Sequence, residues 1–301
     1  MVSRPSAVAE RWGHPASDDA DDQAAFALGR LLVDDGAAPL ALDGDIPTLL
    51  ERLPLSEGVP TPLWALDEPE TLSHMHQLMH DAGSDVAIAL SGHVTADELD
   101  ELGVGVSPAG VTRAAVRCAL SCGPRLVLGE VDPCGAITHV RAKRAYLEPV
   151  RALMDGGVHG FLLGHMPSSA DAIAAASAIP MGVRPVIACL ETDPSLRIPS
   201  GEPLDEAFSS LAEAGMDAVG VDGITVADIP LVIDSVVEAA ASVGLRLMAR
   251  VPAGEADASA LEGLYDEAAH VLAASGCALM CAGAGAPLGA TSSMAASALE
   301  V

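Results

Sequence analysis

Eight times along this chain a short, almost wholly apolar run is followed by a segment of helical periodicity, and no other feature restricts the fold as much. The runs are PLALD (39–43), DVAIAL (85–90), RLVLGEV (125–131), VHGFLLG (158–164), VRPVIACLE (183–191), MDAVGVD (216–222), LRLMARV (245–251) and CALMCAG (277–283). Apolar runs without alternation suit strands buried on both faces, and helices between them suit a parallel sheet. The sixth unit is the clearest. Its run ends in Asp222 and Gly223, between the helical LDEAFSSLAEAG and a second helical stretch from Ile229 to Val243. Eight such units predict the α/β class and a closed (β/α)8 TIM barrel rather than an open doubly wound sheet. No G-x-G-x-x-G opens a helix after any run, so nothing supports a dinucleotide crevice. Residues 1–36 are expected to form a helical or irregular N-terminal extension, with DDADD leading into a helix over FALGRLL. Residues 37–301 are expected to form the barrel, with a Pro-rich loop from Pro54 to Pro69.

Composition limits the partners. The net charge of −27 opposes nucleic acid and anionic lipid, and no basic patch is expected to interrupt it. Two Trp, two Tyr and three Phe are few for a cavity that stacks large flat ligands. Mean hydropathy is +0.37, yet no uninterrupted apolar stretch approaches the length of a membrane span. Six Cys without paired spacing, and no basic start followed by an apolar segment, make a reducing cytoplasm the expected compartment.

In a barrel the chemistry gathers where the strands end. The exits supply Asp43 and Asp45, Ser91 and His93, and Glu130, Asp132 and Cys134, with His139 further out. They also supply His165, Glu191, Thr192 and Asp193, then Asp222 and Thr225, Glu255 and Cys281. His165 follows a run of apolar and glycine positions, which aims its ring at the mouth. Asp43 precedes a glycine that would admit a ligand to the backbone. Asp43, His165 and Asp222 are the candidate catalytic residues, able to serve as an acid–base set; each also has a plain reading as a loop hydrogen-bonding group. Cys134, Cys281 and the histidines lack the spacing of a zinc site. GAGAPLG before the last helix has the glycines of a phosphate cradle but no Lys or Arg close by.

Several stretches, in order, resemble the homocysteine S-methyltransferase family. LALDG is similar to its strand-one Asp-Gly, and PETLSHMHQLMHDAGSDV to its second-helix motif through Pro69, Glu70, His76, Ala82, Gly83 and Asp85. TRAAVRCA, PSSADAIAAASAI, RPVIACLE, MDAVGVDG and GCALMCAGAGAPLG follow in family order, from residue 39 to about 290. The resemblance implies a zinc-containing (β/α)8 barrel that methylates the homocysteine thiol, in which Asp43 resembles the Asp that helps hold the amino group.

The same resemblance places the family's three zinc cysteines at Gly223, Gly283 and Ala284, so all three thiolates are absent. The family's Thr-Asn-Thr becomes Ala89, Leu90 and Ser91, and its Glu-Thr becomes Gly164 and His165. Zinc lowers a bound thiol's pKa, and glycine and alanine have no donor to hold it. The expectation is a barrel that has lost this thiol-activating site, with no metal and no assigned cofactor, that binds a small-molecule ligand or a methyl-transfer partner protein. The alternative is a divergent thiol- or corrinoid-linked methyltransferase with a rearranged site.

Overall fold

A computed structural model describes residues 11–13, 18–53, 59–135 and 138–300. Parts of the expected N-terminal extension (1–10 and 14–17) and of the Pro-rich loop (54–58) lie outside the described residues. Eight parallel strands run in order around one sheet: β1 (Leu40–Ala41), β2 (Val86–Ala89), β3 (Leu126–Val131), β4 (Gly160–Met166), β5 (Val186–Glu191), β6 (Ala218–Asp222), β7 (Arg246–Val251) and β8 (Leu279–Ala282). β1 pairs with β8, and the remaining gap to β2 is bridged at Leu42–Val86 with Asp43 N donating to Val86 O at 2.9 Å. The fold is the (β/α)8 barrel that the eight units predict.

Nearly every strand residue is buried, because one side chain points to the axis and the next to the helical ring. Leu40, Leu42, Val86, Ile88, Leu126, Leu128, Leu162, Ile187, Met248 and Leu279 fill the axis. Their neighbours Ala87, Val127, Phe161, Ala188, Val219 and Leu247 pack outward against the helices. Carrying the inward parity one step toward the strand ends reaches Glu130, Asp222 and Arg250. The upper layer of the barrel is therefore charged, and it rests on an apolar plug.

The lower end is closed by the helix Ala20–Leu31, capped by Asp19 and carrying Leu28 into the axial cluster. Arg246 reaches out of β7 to donate to the carbonyls of Leu31, Asp34 and Ala37 at 3.0–3.1 Å, which satisfies groups the helix end leaves free. Asp217 accepts from Arg11, Trp12 and the Val186 amide, pinning the first described residues to the same end.

Around the expected Pro-rich loop the chain is partly helical, at Ile46–Glu51, Thr61–Leu63 and Trp64–Asp67. Ile46, Leu50 and Trp64 are buried there against Leu72, Met79 and Leu90, and burial outweighs the prolines, which sit in first turns where they cost nothing. Among the described residues no helix is long and apolar enough to cross a membrane.

Candidate functional site

A cavity of about 280 Å³ opens at the strand ends. Ile46, Pro62, Ile88 and Leu90 form one wall, while His93, Glu130, Asp132, His165 and Arg250 form the other. Arg250 organises the polar side. Its Nη2 donates to Glu130 Oε1 at 2.6 Å, and its Nη1 donates to His165 Nε2 at 2.7 Å and to Asp222 Oδ2 at 3.4 Å. Desolvation opposes the charge on this buried guanidinium, but Glu130 and Asp222 more than offset it and Arg250 is held firmly protonated. Gly164 makes room for the cluster. A Cβ there would lie 2.8 Å from Glu130 Oε1 and 3.0 Å from Asp132 Oδ1.

His165 sits where the β4–β5 register slips, with φ at +52°, and that irregularity turns its ring into the mouth. Nδ1 lies 3.0 Å from Asp222 Oδ2. Burial lowers the imidazole pKa, but the hydrogen bond to Asp222 and its charge lift it to about 9. The Arg250 contact pulls the other way, and its geometry decides the tautomer. A guanidinium only donates, so the 2.7 Å contact belongs to the neutral ring, with Nε2 accepting and the one proton on Nδ1, whereas a pKa of about 9 favours the imidazolium at neutral pH. Proton uptake must part His165 from Arg250. Desolvation would raise Asp222, yet Arg250 and His165 hold it below the usual carboxylate range.

Asp132 differs. Burial and the Glu130 charge push its pKa up to about 7, against His165, His93 and Arg250. Among the described residues its buried Oδ1 has no protein hydrogen-bond partner, and Oδ2 lies 3.5 Å from His93 Nε2. His93 is also left-handed, at φ +53°, and is held by Glu98 at 3.0 Å.

Of the three residues singled out from sequence, the structure brings His165 and Asp222 together. Asp43 is placed elsewhere: its carboxylate accepts from Ser84 Oγ (2.9 Å) and Ile88 N (3.2 Å) and lies 2.8 Å from His76 Nδ1. It is 1% exposed and faces His76 on the helix Pro69–Asp81 rather than the cavity. Glu130 and Asp132 were visible as strand exits but were not selected. Arg250 was passed over inside LRLMARV, where only strand parity could have marked it as inward-facing.

One expectation is overturned. Tracing zinc to Gly223, Gly283 and Ala284 left the mouth without donors, and hence without a metal. Glu130, Asp132 and His165 instead offer ligand atoms within 4.8 Å of one another, a carboxylate–imidazole group contributed by β3 and β4. The thiolate site itself does not fit. Gly223 has φ +107°, and a Cβ on Gly283 would stand 2.9 Å from Pro252 N and 3.2 Å from Arg250 Cγ. Burial pushes the Cys281 thiol up to about 12, although Arg250 opposes the rise, and its Sγ donates to Asp43 O at 3.0 Å. It is a packed thiol, not a thiolate.

Comparisons with known proteins agree with the barrel fold. The homocysteine S-methyltransferase family profile matches residues 40–289. The homocysteine methyltransferase MmuM from Escherichia coli, in its metallated form, superposes with a TM-score of 0.72 at 18% identity, covering 87% of this chain and 97% of that one. Its apo form gives 0.67 at 19% identity over the same shares. The carboxyl transferase domain of pyruvate carboxylase from Rhizobium etli, with pyruvate, gives 0.51 at 13% identity, covering 95% of this chain and 53% of that one. These structural likenesses carry the fold alone. No curated protein matches the sequence.

Proposed function

The chain belongs to the homocysteine S-methyltransferase family, and from that membership we propose that its mouth binds a small metabolite bearing a cationic group, without the zinc–thiolate chemistry of the fold's methyltransferases. Asp132 carries the reading. A buried carboxylate oxygen left without a donor costs about 1–3 kcal/mol; none of the described residues donates to Oδ1, and the guanidinium beside it is already committed to Glu130, His165 and Asp222. A ligand ammonium would complete Oδ1 while its apolar body rests on Ile46, Pro62, Ile88 and Leu90. In this reading His165 and Asp222 form the acid–base pair facing the ligand. Asp43 holds β1 and β2 in register beneath it through Ser84 and the Ile88 amide.

The test is calorimetric titration with amino acids, thioethers and simple amines. Binding by the wild type that D132N abolishes supports the reading. Zinc-dependent methylation of homocysteine, or binding untouched by D132N, overturns it.

The convergence of Glu130, Asp132 and His165 favours a second reading, methyl transfer assisted by an ion in a rearranged site. Metal content separates the two. Stoichiometric zinc or cobalt after growth in supplemented medium, lost in E130Q and H165A, would select the second.

A further inference from the structure

The acidic field is not uniform, contrary to the expectation from composition. Between residues 103 and 154 lie seven of the chain's fifteen basic residues (Arg113, Arg117, Arg125, Arg141, Lys143, Arg144 and Arg151). The same span holds three acids, of which Glu130 and Asp132 are buried at the barrel mouth. The segment folds as two adjacent helices around β3, Pro108–Leu120 and His139–Asp155, joined where Glu148 accepts from the Ala109 amide at 3.2 Å. All the basic side chains on these two helices are exposed, and none makes an ion pair among the described residues.

Three of them oppose the helix that carries them. Arg141, Lys143 and Arg144 occupy its first turns, where the peptide dipole is already positive and no acid is present. The helices at Ala20, Ala96 and Leu204 place acids in that position. A sequence that works against local stability at one helix end points to a use for the charge. Large apolar side chains stand among the cations: Val140 is 77% exposed and Leu147 50%.

We propose that this face, the outer side of the two helices flanking β3, docks an acidic protein segment that also carries apolar side chains. The charge selects an anion. Val140 and Leu147 select a polypeptide over a phosphate backbone, because burying them rewards only a partner with apolar groups of its own, and the chain's net charge of −27 opposes the extended anionic face of a bilayer. The Debye length of about 8 Å at physiological salt lets the patch act locally despite the net charge of −27. The face also reaches the cavity. Tyr146, on the same helix, donates its hydroxyl to Asp132 O at 2.7 Å and accepts from the Cys134 amide at 2.7 Å, so a docked partner would bear on the loop that holds Asp132. The inference stands on this surface alone and does not require the cavity's ligand.

The experiment is fluorescence anisotropy of the full chain with a labelled peptide of repeating Glu-Glu-Leu triplets, beside single-stranded DNA and phosphatidylserine vesicles. The wild type should bind the peptide in a salt-sensitive manner. R141E/K143E/R144E should weaken binding roughly tenfold or more, V140S/L147S should weaken it several-fold, and the control R30E/R197E should leave it unchanged. The triple variant should melt at or above the wild-type temperature, since it relieves the dipole conflict, so lost binding cannot be lost folding. No peptide binding at low salt, equal binding by the triple variant, or tighter binding to DNA or vesicles than to the peptide each overturns the proposal.

Discussion

Replacing Arg250 with methionine tests the electrostatic account of the barrel mouth most directly. Methionine keeps much of the side-chain length and removes the charge. It leaves Glu130 without its 2.6 Å partner and Asp222 without its 3.4 Å contact, and it frees Nε2 of His165. Hydrogen bonds to charged groups are worth about 1.5–3 kcal/mol each, and breaking a buried pair by removing one partner costs about 3–5 kcal/mol. The second figure is the expected loss at pH 7.5, because the stranded carboxylates cannot move into water. With total stability on the order of 5–15 kcal/mol, the variant should still fold and its loss can be measured by urea unfolding. The pH dependence gives the sign. Asp222 is held below the usual range by Arg250, so in the wild type its contribution is present above the unfolded carboxylate pKa and disappears as pH falls through the folded one. Without Arg250, Asp222 takes up its proton at higher pH, and the deficit of the variant should shrink as pH drops from 8 toward 5. A divalent ion should replace part of the missing charge on Glu130, Asp132 and His165, recovering about 1.4 kcal/mol at tenfold excess over its Kd. A loss under about 1 kcal/mol, flat across pH and indifferent to metal, would refute the reasoning.

Restoring cysteine at Gly223, Gly283 and Ala284 together should fail to give stoichiometric zinc by elemental analysis and should lower stability, because one position is left-handed and another meets the β7 backbone; a tetrahedral zinc in the triple variant would sink the point. Leu28→Ala, at the lower plug, should cost about 2–5 kcal/mol in chemical unfolding, and a near-neutral result would mean the N-terminal helix does not close the barrel. His159 is pushed below its ordinary pKa by burial, despite Asp21, and its Nδ1 accepts from Val127 N at 2.9 Å. Its neutral form is the native one, so stability should be intact above the unfolded imidazole pKa and fall as pH drops below it. H159Q, which keeps an acceptor, should flatten that fall in urea midpoints between pH 7.5 and 5.5.

The barrel was legible because its signal is redundant: eight apolar runs each ask for the same burial, and a mistaken end at any one changes nothing. The site was legible only in part. His165 and Asp222 stood at strand ends, where position alone flagged them. Arg250 lay inside a strand whose neighbours are apolar, and its direction follows only from the register that β7 shares with β6 and β8. Asp43 shows the converse. Its place at a strand end was correctly located, but the donors that turn it from the cavity, Ser84 and His76, come from a neighbouring turn and helix, and no local pattern carries that contact. The basic face escaped notice because its residues are split between two helices with a strand between them, and only packing sets them side by side.

Zinc and guanidinium each neutralise carboxylates at the mouth of a barrel, but they leave different chemistry behind. A metal ion accepts a ligand's lone pair and can thereby strip a thiol of its proton. Arg250 has no vacant orbital and does not lose its own proton, so it can only donate hydrogen bonds, and its donors toward the mouth are directed at Glu130, His165 and Asp222. A thiol entering this cavity would meet no group in contact with Arg250 that could ionise it by coordination. What the floor retains is a proton on His165 Nδ1 shared toward Asp222, and an Asp132 oxygen to which none of the described residues donates. Those two groups can move a proton and hold a cation. Gly283 is therefore part of the arrangement, since a side chain there would press on the Arg250 stem that keeps Glu130, His165 and Asp222 in place.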